Sequence, residues 1–280
     1  MTSAALAQPN PPANPVVMPD NALAFARGVA HETGQFLKAT FGKLAATTKH
    51  DGTLVTASDL ESDRRLTEAI LSRYPSHGVL SEEQDQTYRG QEWCWVLDPI
   101  DGTTNFTWGF PVWGVLVGLL HYGQPVLGVA DFPMSDEQYS AAAGQGAWRN
   151  GERIAVADAG QLDSTQLFAT CTRALKFGRP NIVPKIRISG GAGFDLATVA
   201  RGTCVGTLQM TVHVWDVAAL WPIVQEAGGL LQSDTATDVF PLQQGQNYRD
   251  VIFSLLGVSS PDLLKPLQEQ LADRFAVKQL

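Results

Sequence analysis

Acidic side chains follow several apolar stretches of the sequence, and the densest group lies in WVLDPIDGTTNF, Trp95 to Phe106. Asp98 and Asp101 are both in this segment. Pro99 and Gly102 favour a sharp turn that keeps the two carboxylates close together. Such carboxylates repel each other unless one is protonated or a cation lies between them. The spacing therefore indicates either a site for a hard cation such as Mg²⁺, which prefers oxygen ligands, or an ordinary Asp-Gly turn.

Other acids lie at the ends of predicted elements. Glu82 and Glu83 end the short apolar strand predicted at VLSEE. Asp59 and Asp216 fall in the first turns of predicted helices, where a carboxylate also complements the helix dipole without any catalytic role. Each acid has a structural explanation of its own, so only the whole set indicates a site.

Composition excludes several classes of protein. The 280-residue chain is 44% hydrophobic and 17% charged, with a formal net charge of -8. This acidic balance, without any run of Lys or Arg, argues against nucleic-acid or anionic-membrane partners. Apolar stretches of the length needed for a membrane span are also missing from the sequence.

Cysteines and the first residues bear on the compartment. Cys94, Cys171 and Cys204 are too few and too widely spaced for a disulfide framework or a zinc site, which predicts reduced thiols and a cytoplasmic protein. Residues 1–20 are rich in Pro, Ala and Asn and lack the charged start and apolar core of a secretory signal. We expect this segment to be a disordered tail.

Hydrophobic periodicity predicts the elements that position the acids. Apolar residues recur at helical spacing over 21–45. Ser58 and Glu61 predict an S-x-x-E capping box at the start of a second helix. The run Trp93–Leu97 is typical of a buried strand, which we expect to end at Asp98.

The remaining pattern mixes strands and helices. Alternating strand and turn signals fill residues 112–140, and Asn150-Gly151 predicts a hairpin turn. Further strands are predicted at LFATC, VGTLQMTV, GLLQSD and VIFSLLGV. Helices are predicted at GAGFDLATVARG, at 215–227 with a kink at Pro222, and near the carboxyl end. The mixture indicates a layered α/β architecture with more antiparallel than parallel pairing.

Three motifs together resemble the inositol monophosphatase family. The family's paired glutamates at a strand end, its D-P-I-D-G-T-x-N-F segment and its W-D-x-A…E-A-G-G segment stand here as SEE at 81–83, DPIDGTTNF at 98–106 and WDVAALWPIVQEAGG at 215–229. Their order and spacing match over nearly the whole chain after the tail. The long central motif makes this resemblance specific.

The resemblance implies a fold and an activity. The fold is the layered αβαβα sugar-phosphatase fold of the α+β type, with mixed, largely antiparallel sheets between helix layers. It would occupy residues 21–280, as two sub-lobes of about 21–155 and 156–280. The activity is that of a phosphoric monoester hydrolase, sensitive to lithium and active as a homodimer. With two or three Mg²⁺ ions, it would hydrolyse a small polyol phosphate such as inositol-1-phosphate through a metal-activated water.

The resemblance also assigns residues. The family's metal positions match Glu82, Asp98, the backbone carbonyl of Ile100, Asp101 and Asp216. Its catalytic positions match Asp59, Thr103 and Glu83, of which Asp59 and Thr103 are the pair that orients and deprotonates the attacking water. Its substrate-binding positions match Asp101, Gly102, Thr103, Ala192, Gln209 and Asp216. Lys49 falls in the family's metal-covering loop and is a weaker candidate.

Two departures from the family pattern affect the expected substrate. Ser81 replaces the usual glycine before the paired glutamates, a small change that should leave Glu82 in place. Gln209 replaces the glutamate that contacts substrate hydroxyls in the inositol-specific enzymes. A glutamine can hydrogen-bond a hydroxyl but carries no charge, or it could simply end a strand and point to solvent.

The substrate therefore stays open at this point. HGVLSEE, GLLHYGQPVLGV and Pro222 are similar to the histidinol-phosphatase branch of the family. The alternatives to an inositol-phosphate substrate are histidinol phosphate, then fructose-1,6-bisphosphate or a nucleotide 3′-phosphate. A regulatory binding protein without catalysis is a further alternative, which the intact set of acids disfavours.

Overall fold

The computed structural model describes residues 16–43, 47–48, 54–177, 180–235, 238–272 and 275. Lys49 and the first fifteen residues of the predicted tail lie outside these ranges. In the rest of that tail, Met18 packs against the core and the Asp20 carbonyl accepts a 2.8 Å hydrogen bond from the Tyr74 hydroxyl. Tertiary contacts thus begin shortly before the first helix.

Helices occur along the whole described chain. Their bounds are α1 Ala22–Lys38, α2 Ala57–Arg73, α3 Thr103–Trp108, α4 Ala192–Ala200, α5 Val214–Ala218, α6 Leu220–Glu226 and α7 Pro261–Gln270, with a 3₁₀-helix at Thr172–Phe177. Within the described ranges, each of these helices is too short or too polar to cross a membrane.

Strands alternate with these helices. Their bounds are β1 Thr47–Thr48, β2 Leu54–Val55, β3 Gly78–Ser81, β4 Trp93–Asp101, β5 Gly114–His121, β6 Gln124–Phe132, β7 Glu137–Ala142, β8 Ala147–Arg149, β9 Glu152–Ile154, β10 Leu167–Thr170, β11 Lys185–Arg187, β12 Gly206–Val212, β13 Leu230–Ser233 and β14 Phe253–Val258.

Two large sheets carry the fold. One has the strand order β3-β4-β5-β6-β7-β8-β9, and the other has the order β11-β10-β12-β14-β13. Parallel pairing joins β3 to β4 and joins β10 to both β11 and β12. The other pairs described in these sheets are antiparallel, which confirms the predicted excess of antiparallel pairing.

Helix and sheet layers alternate through the molecule. Successive side chains of β4 point to opposite faces of the sheet, so Trp95 and Leu97 pack with α1 and α2 while Val96 packs towards α4 and α6. The second sheet covers the other side of α4, and Leu263 and Leu267 of α7 close its far face. The αβαβα layering expected from the resemblance is confirmed.

The first predicted helix is shorter than expected. α1 ends at Lys38 instead of residue 45. The Thr40 hydroxyl donates a hydrogen bond to the Leu37 carbonyl oxygen there, and Gly42 adopts a φ of 67°, which is outside the helical region. The predicted cap of the second helix is wrong by two residues. The cap is Thr56, which forms a capping box with Asp59, and Glu61 instead forms salt bridges with neighbouring arginines.

Two further boundaries differ from the sequence-based expectation. β4 continues through Asp98 to Asp101, because β5 pairs with it up to Asp98 and again at Asp101. The single helix expected at 215–227 is divided into α5 and α6 at Ala219. Pro222 has no N–H to donate to the preceding turn, so the interruption agrees with the predicted kink.

The predicted hairpin turn is confirmed. Asn150 and Gly151 have φ values of 51° and 84°, the left-handed pair that suits a two-residue turn between β8 and β9.

Candidate active site

The end of β4 brings two acids into the interior. Asp98 pairs with Leu116 of β5, whereas Asp101 pairs with Gly114, so β4 holds one extra residue between the two acids. This bulge redirects the strand and leaves Asp98 and Asp101 only 1% and 4% exposed. Oδ1 of Asp98 accepts a 3.0 Å hydrogen bond from the Ile100 N–H, which stabilises the turn that contains Pro99.

Gly102 turns the chain from β4 into α3. Its φ is 86°, and a Cβ atom there would lie 3.1 Å from the Val112 carbonyl oxygen, so both conformation and space favour glycine. The turn brings the Thr103 hydroxyl to 3.1 Å from the Ile100 carbonyl oxygen. Thr103 is therefore held directly beside the two acids of the bulge.

Asp59 joins this group from α2. Its Oδ2 accepts hydrogen bonds from the N–H and hydroxyl of Thr56, at 2.7 and 2.6 Å, as part of the helix cap. Its Oδ1 accepts a 3.3 Å hydrogen bond from the Thr103 hydroxyl. One fully buried carboxylate thus caps a helix and contacts the predicted catalytic threonine.

The acidic turn after β3 is organised by Asp63, which sequence reasoning missed. Asp63 is fully buried on α2 and accepts hydrogen bonds from the Ser81 hydroxyl, the Gln84 side-chain amide and the Glu83 N–H, the last at 3.2 Å. Ser81 therefore contributes a hydrogen bond that glycine could not make. The available signal was the spacing of four between Asp59 and Asp63, which puts both on one face of a helix.

Asp101 is bound by the amino end of α4. Its Oδ2 accepts a 3.0 Å hydrogen bond from the Gly193 N–H, and the N–H groups of Ala192 and Phe194 also contribute. A Cβ atom on Gly193 would lie 2.9 Å from this oxygen, so the close approach needs glycine. Burial raises the pKa of Asp101, and the nearby Glu82 carboxylate raises it further, against the effect of the three amides.

Asp216 lies in the first turn of α5. Its Oδ2 accepts a 2.7 Å hydrogen bond from the His213 N–H, so it belongs to the cap of a helix that packs against β4 and β5. A bulge in β12, where Thr211 has a φ of 60°, precedes this helix. A β-branched residue rarely adopts that conformation, so the surrounding structure must hold it.

Gln209 lies on β12 and is only 2% exposed, which rules out the solvent-facing alternative. Its Nε2 donates to Asp195 Oδ2 at 2.7 Å and to the Thr207 hydroxyl at 2.8 Å. Burial raises the pKa of Asp195 to about 7, against hydrogen bonds from Ser189 and Gln209. Sequence reasoning missed Asp195, although it is the only acid in the apolar segment GAGFDLATVA.

Comparison with known protein families identifies the family of the chain. A model described as the inositol monophosphatase family matches residues 18–248. The chain belongs to the inositol monophosphatase family. It is 35% identical over 210 residues to the fructose-1,6-bisphosphatase/inositol-1-monophosphatase of Aquifex aeolicus, covering 70% of this chain and 80% of that protein.

Two further proteins are similar to this member of the inositol monophosphatase family. A histidinol-phosphatase of Chlorobaculum parvum is 34% identical over 216 residues, covering 74% of this chain and 83% of the relative. The IMPase of Thermotoga maritima has a solved structure with a TM-score of 0.78 at 24% identity, over 90% of this chain and 97% of that one, which shows the shared fold. As a member of this family, the protein is a phosphatase that acts on phosphoric monoesters.

Inositol monophosphatases are metal-dependent, generally with Mg²⁺, and the donors present here fit such an ion in their chemistry. They are carboxylates and one carbonyl, and the buried Asp101 faces Glu82 with unfavourable electrostatics that a cation would relieve. In the described part of the chain, no three Asp, Glu, His or Cys side chains converge as a ready ligand set. Asp98, Asp101 and Asp216 each engage one oxygen with a backbone N–H.

Proposed function

We propose that the protein is a Mg²⁺-dependent phosphomonoesterase that hydrolyses a small polyol phosphate such as inositol-1-phosphate. The observation that carries this proposal is the 3.3 Å hydrogen bond from the Thr103 hydroxyl to Asp59 Oδ1. The same hydroxyl lies 3.1 Å from the Ile100 carbonyl oxygen, between the two acids of β4 in the sequence. A hydroxyl hydrogen-bonded to a buried carboxylate is the arrangement expected for holding and deprotonating a water. Neither residue needs the other for the local fold, since Asp59 already has its helix cap.

Metal binding would fall to the oxygen donors grouped around β4. We propose that the ion ligands are Glu82, Asp98, the Ile100 carbonyl, Asp101 and Asp216. Two or three Mg²⁺ ions, when bound, would supply Lewis-acid polarisation of the phosphate and lower the pKa of a water. Glu83 would support this set from the neighbouring position, where its N–H is bonded to Asp63.

The chain's own groups account for the proton movements. Thr103 takes a proton from the attacking water onto its hydroxyl oxygen as it passes its own hydroxyl proton to Asp59, so that the water oxygen is free to bond to phosphorus. Asp59 afterwards releases this proton to solvent. As that bond forms, the bond from phosphorus to the ester oxygen breaks, and the alcohol leaves after taking up a proton from solvent. Inorganic phosphate and the free alcohol are the products.

Phosphate binding would rely on backbone donors. We propose that the N–H groups of Gly102 and Thr103 meet the phosphate, because glycine lets the anion approach the chain closely. Ala192 lies at the amino end of α4, next to the amide that bonds Asp101, and would border the same space. Asp101 and Asp216 would contact the substrate on the metal side.

Histidinol phosphate is the second candidate substrate. The observation in its favour is that Gln209 presents no carboxylate and has its amide bonded within the protein. An inositol ring carries several hydroxyls that a carboxylate would bind more strongly than an amide does. The similarity to the Chlorobaculum parvum histidinol-phosphatase agrees with this alternative.

Phosphate release from four compounds tests the proposal. The panel is inositol-1-phosphate, histidinol phosphate, fructose-1,6-bisphosphate and 3′-phosphoadenosine 5′-phosphate, each with Mg²⁺ and with excess chelator. We expect Mg²⁺-dependent turnover that lithium inhibits, highest with one of the first two. Undiminished turnover in chelator would reject the metal assignment, and absence of turnover on the whole panel would favour a non-catalytic binding role.

We also propose that the protein is a cytoplasmic homodimer without nucleic-acid or membrane partners. The family resemblance supports the dimer, and the three free cysteines support a reducing compartment. Light scattering at micromolar concentration tests the dimer, and a mass near 30.2 kDa would contradict it.

A further inference from the structure

The buried contact between Gln209 and Asp195 has no role in the chemistry described above. Gln209 is 2% exposed and Asp195 is 2% exposed, and the Gln209 amide is already engaged by Asp195 and Thr207. Burying a carboxyl group without partners is costly, and here a 2.7 Å hydrogen bond from Gln209 compensates part of that cost. The pair links β12 of one sheet to the first turn of α4.

Asp195 lies two residues beyond the amide that binds Asp101. The first turn of α4 therefore has Asp195 bonded to β12 on one side and Gly193 bonded to Asp101 on the other. The Gly193 contact leaves no room for a Cβ atom, so a small tilt of this turn changes the distance to Asp101 directly. The contacts that hold Asp195 in place thus also fix the position of the N–H groups that donate to Asp101.

A third contact ties the same turn to the catalytic side. The Ser189 side chain hydrogen-bonds Asp195, and the Ser189 carbonyl accepts a 2.9 Å hydrogen bond from the Asn105 side chain. Asn105 belongs to α3, the helix that also carries Thr103. The segment before α4 is therefore connected both to the predicted catalytic threonine and to the buried pair.

We propose that Asp195 and Gln209 form an acid–amide pair that positions the amino end of α4 against Asp101, and that Gln209 supports Asp195 in place of contacting the substrate. Asp195 is then a positioning residue that acts through the α4 amides. The observed pair combines one carboxyl group with one amide, whereas two carboxyl groups at this distance would repel unless one of them took up a proton. For the position of α4, the presence of the hydrogen bond matters more than which of the two residues carries the carboxyl group.

The exchange of the two groups gives a direct test. Asp195→Ala removes the acceptor, Gln209→Glu sets two carboxylates face to face, and the double variant Asp195→Asn with Gln209→Glu restores an acid–amide bond with reversed polarity. Asp131→Ala is the matched control, because Asp131 is equally buried and bonded to Gln138 at 2.9 Å but lies on β6, outside the candidate site. Each protein is prepared at full length.

Hydrogen exchange in metal-free protein is the first readout, followed by the Mg²⁺ concentration for half-maximal activity. We expect both single variants to exchange faster in peptides spanning 189–198, to need about tenfold more Mg²⁺ and to lose about tenfold in kcat/KM, the scale reported for groups that orient metal ligands. The double variant should recover to within about threefold of wild type. Asp131→Ala should lower the melting temperature without changing the Mg²⁺ requirement.

Two outcomes would overturn the inference. One is a double variant no better than Gln209→Glu alone, and the other is unchanged exchange over 189–198 in Asp195→Ala. The activity readout rests on the proposed function, whereas the exchange readout does not. If wild type releases no phosphate from any substrate, the proposed function fails, while the exchange data still decide whether the pair positions α4.

Discussion

Two buried aspartate–glutamine pairs occupy different regions of the molecule and have different surroundings. Asp131 pairs with Gln138 across neighbouring strands of the seven-stranded sheet, under α1, and lies 3.7 Å from His31 Nδ1. Asp195 pairs with Gln209 between α4 and β12, where burial raises its pKa and the carboxylate of Asp101 raises it further. The same chemical pair thus lies near a histidine and a lysine in one region and near another carboxyl group in the other.

The comparison shows why burial alone does not identify a functional acid. Burial raises the pKa of both aspartates, but His31 and Lys38 oppose that shift at Asp131, whereas Asp101 adds to it at Asp195. Oδ2 of Asp131 has no hydrogen-bond partner among the described residues and packs against Gly34 of α1. Asp101, the acid that affects Asp195, belongs to the candidate site, whereas α1, the helix that packs on Asp131, only covers a sheet.

The largest expected effect is on the α4 side, at Asp101 itself. Asp101→Asn should lower kcat/KM by about 10³-fold, because a neutral ligand loses several kcal/mol of charge stabilisation at the metal. The α4 amides still find an oxygen acceptor, so the protein should stay folded. Steady-state kinetics with circular dichroism measure both effects, and rates close to wild type would remove Asp101 from the site.

Thr103→Ala should have the next largest effect. We expect kcat to fall by about 10²-fold while KM changes little, since the hydroxyl acts on the water and the phosphate keeps its backbone donors. Adding Asp59→Asn should then cause little further loss, because the two residues act as one unit. A steep rise in KM at constant kcat would instead make Thr103 a binding residue.

On the Asp131 side, two glycines of α1 provide a stability test. A Cβ atom on Gly34 would lie 2.5 Å from Asp131 Oδ2 and 2.6 Å from Pro133 Cγ, whereas one on Gly28 would meet nothing within 4 Å. Gly34→Ala should therefore reduce the free energy of unfolding by about 1–3 kcal/mol. Gly28→Ala should raise it by about 0.5–1 kcal/mol through helix propensity.

Denaturant unfolding of the two glycine variants measures this difference, with activity as the control. Both should hydrolyse substrate at the wild-type rate, because α1 contributes no residue to the candidate site. Equal stability of the two variants would mean that α1 does not pack on Asp131 as described.

The smallest expected effect is the pH dependence of Asp195. Its pKa of about 7 in the folded protein exceeds the ordinary value of 3.8, so its contribution to stability is complete below the lower value and is lost as the pH rises through the higher one. Between about pH 4 and pH 7, wild type should therefore lose up to about 1.4 kcal/mol per pH unit relative to Asp195→Asn, and above pH 7 the difference should level off.

Unfolding of metal-free protein between about pH 4.5 and pH 8 measures this slope and its levelling off, in about half-unit steps. Asp131→Asn is the companion variant, and its difference from wild type should vary less with pH, because His31 and Lys38 favour the ionised Asp131. A steeper slope for Asp131 than for Asp195 would reverse the comparison between the two regions.

The sequence by itself determined the family, the layered fold and the local position of most candidate acids. The D-P-I-D-G-T-T-N-F segment predicts a turn after an apolar strand, and Asn150-Gly151 predicts a hairpin, because both depend on residues next to each other in the chain. The predicted ends of the helices and strands were less accurate than their positions in the chain. Thr56 caps α2 in place of Ser58, since several Ser, Thr and acidic residues near that helix start can satisfy the same N–H groups.

Only the tertiary structure decided which groups contact each of these acids. Asp63 and Asp195 read as ordinary helix positions, and their roles depend on the turn after β3 and on β12, which approach them from elsewhere in the chain. The Gly193 amide and the Asp101 carboxylate meet although they are 92 positions apart. A carboxyl group's protonation and contacts are set by what packs against it, and packing between distant segments leaves no local pattern in the sequence.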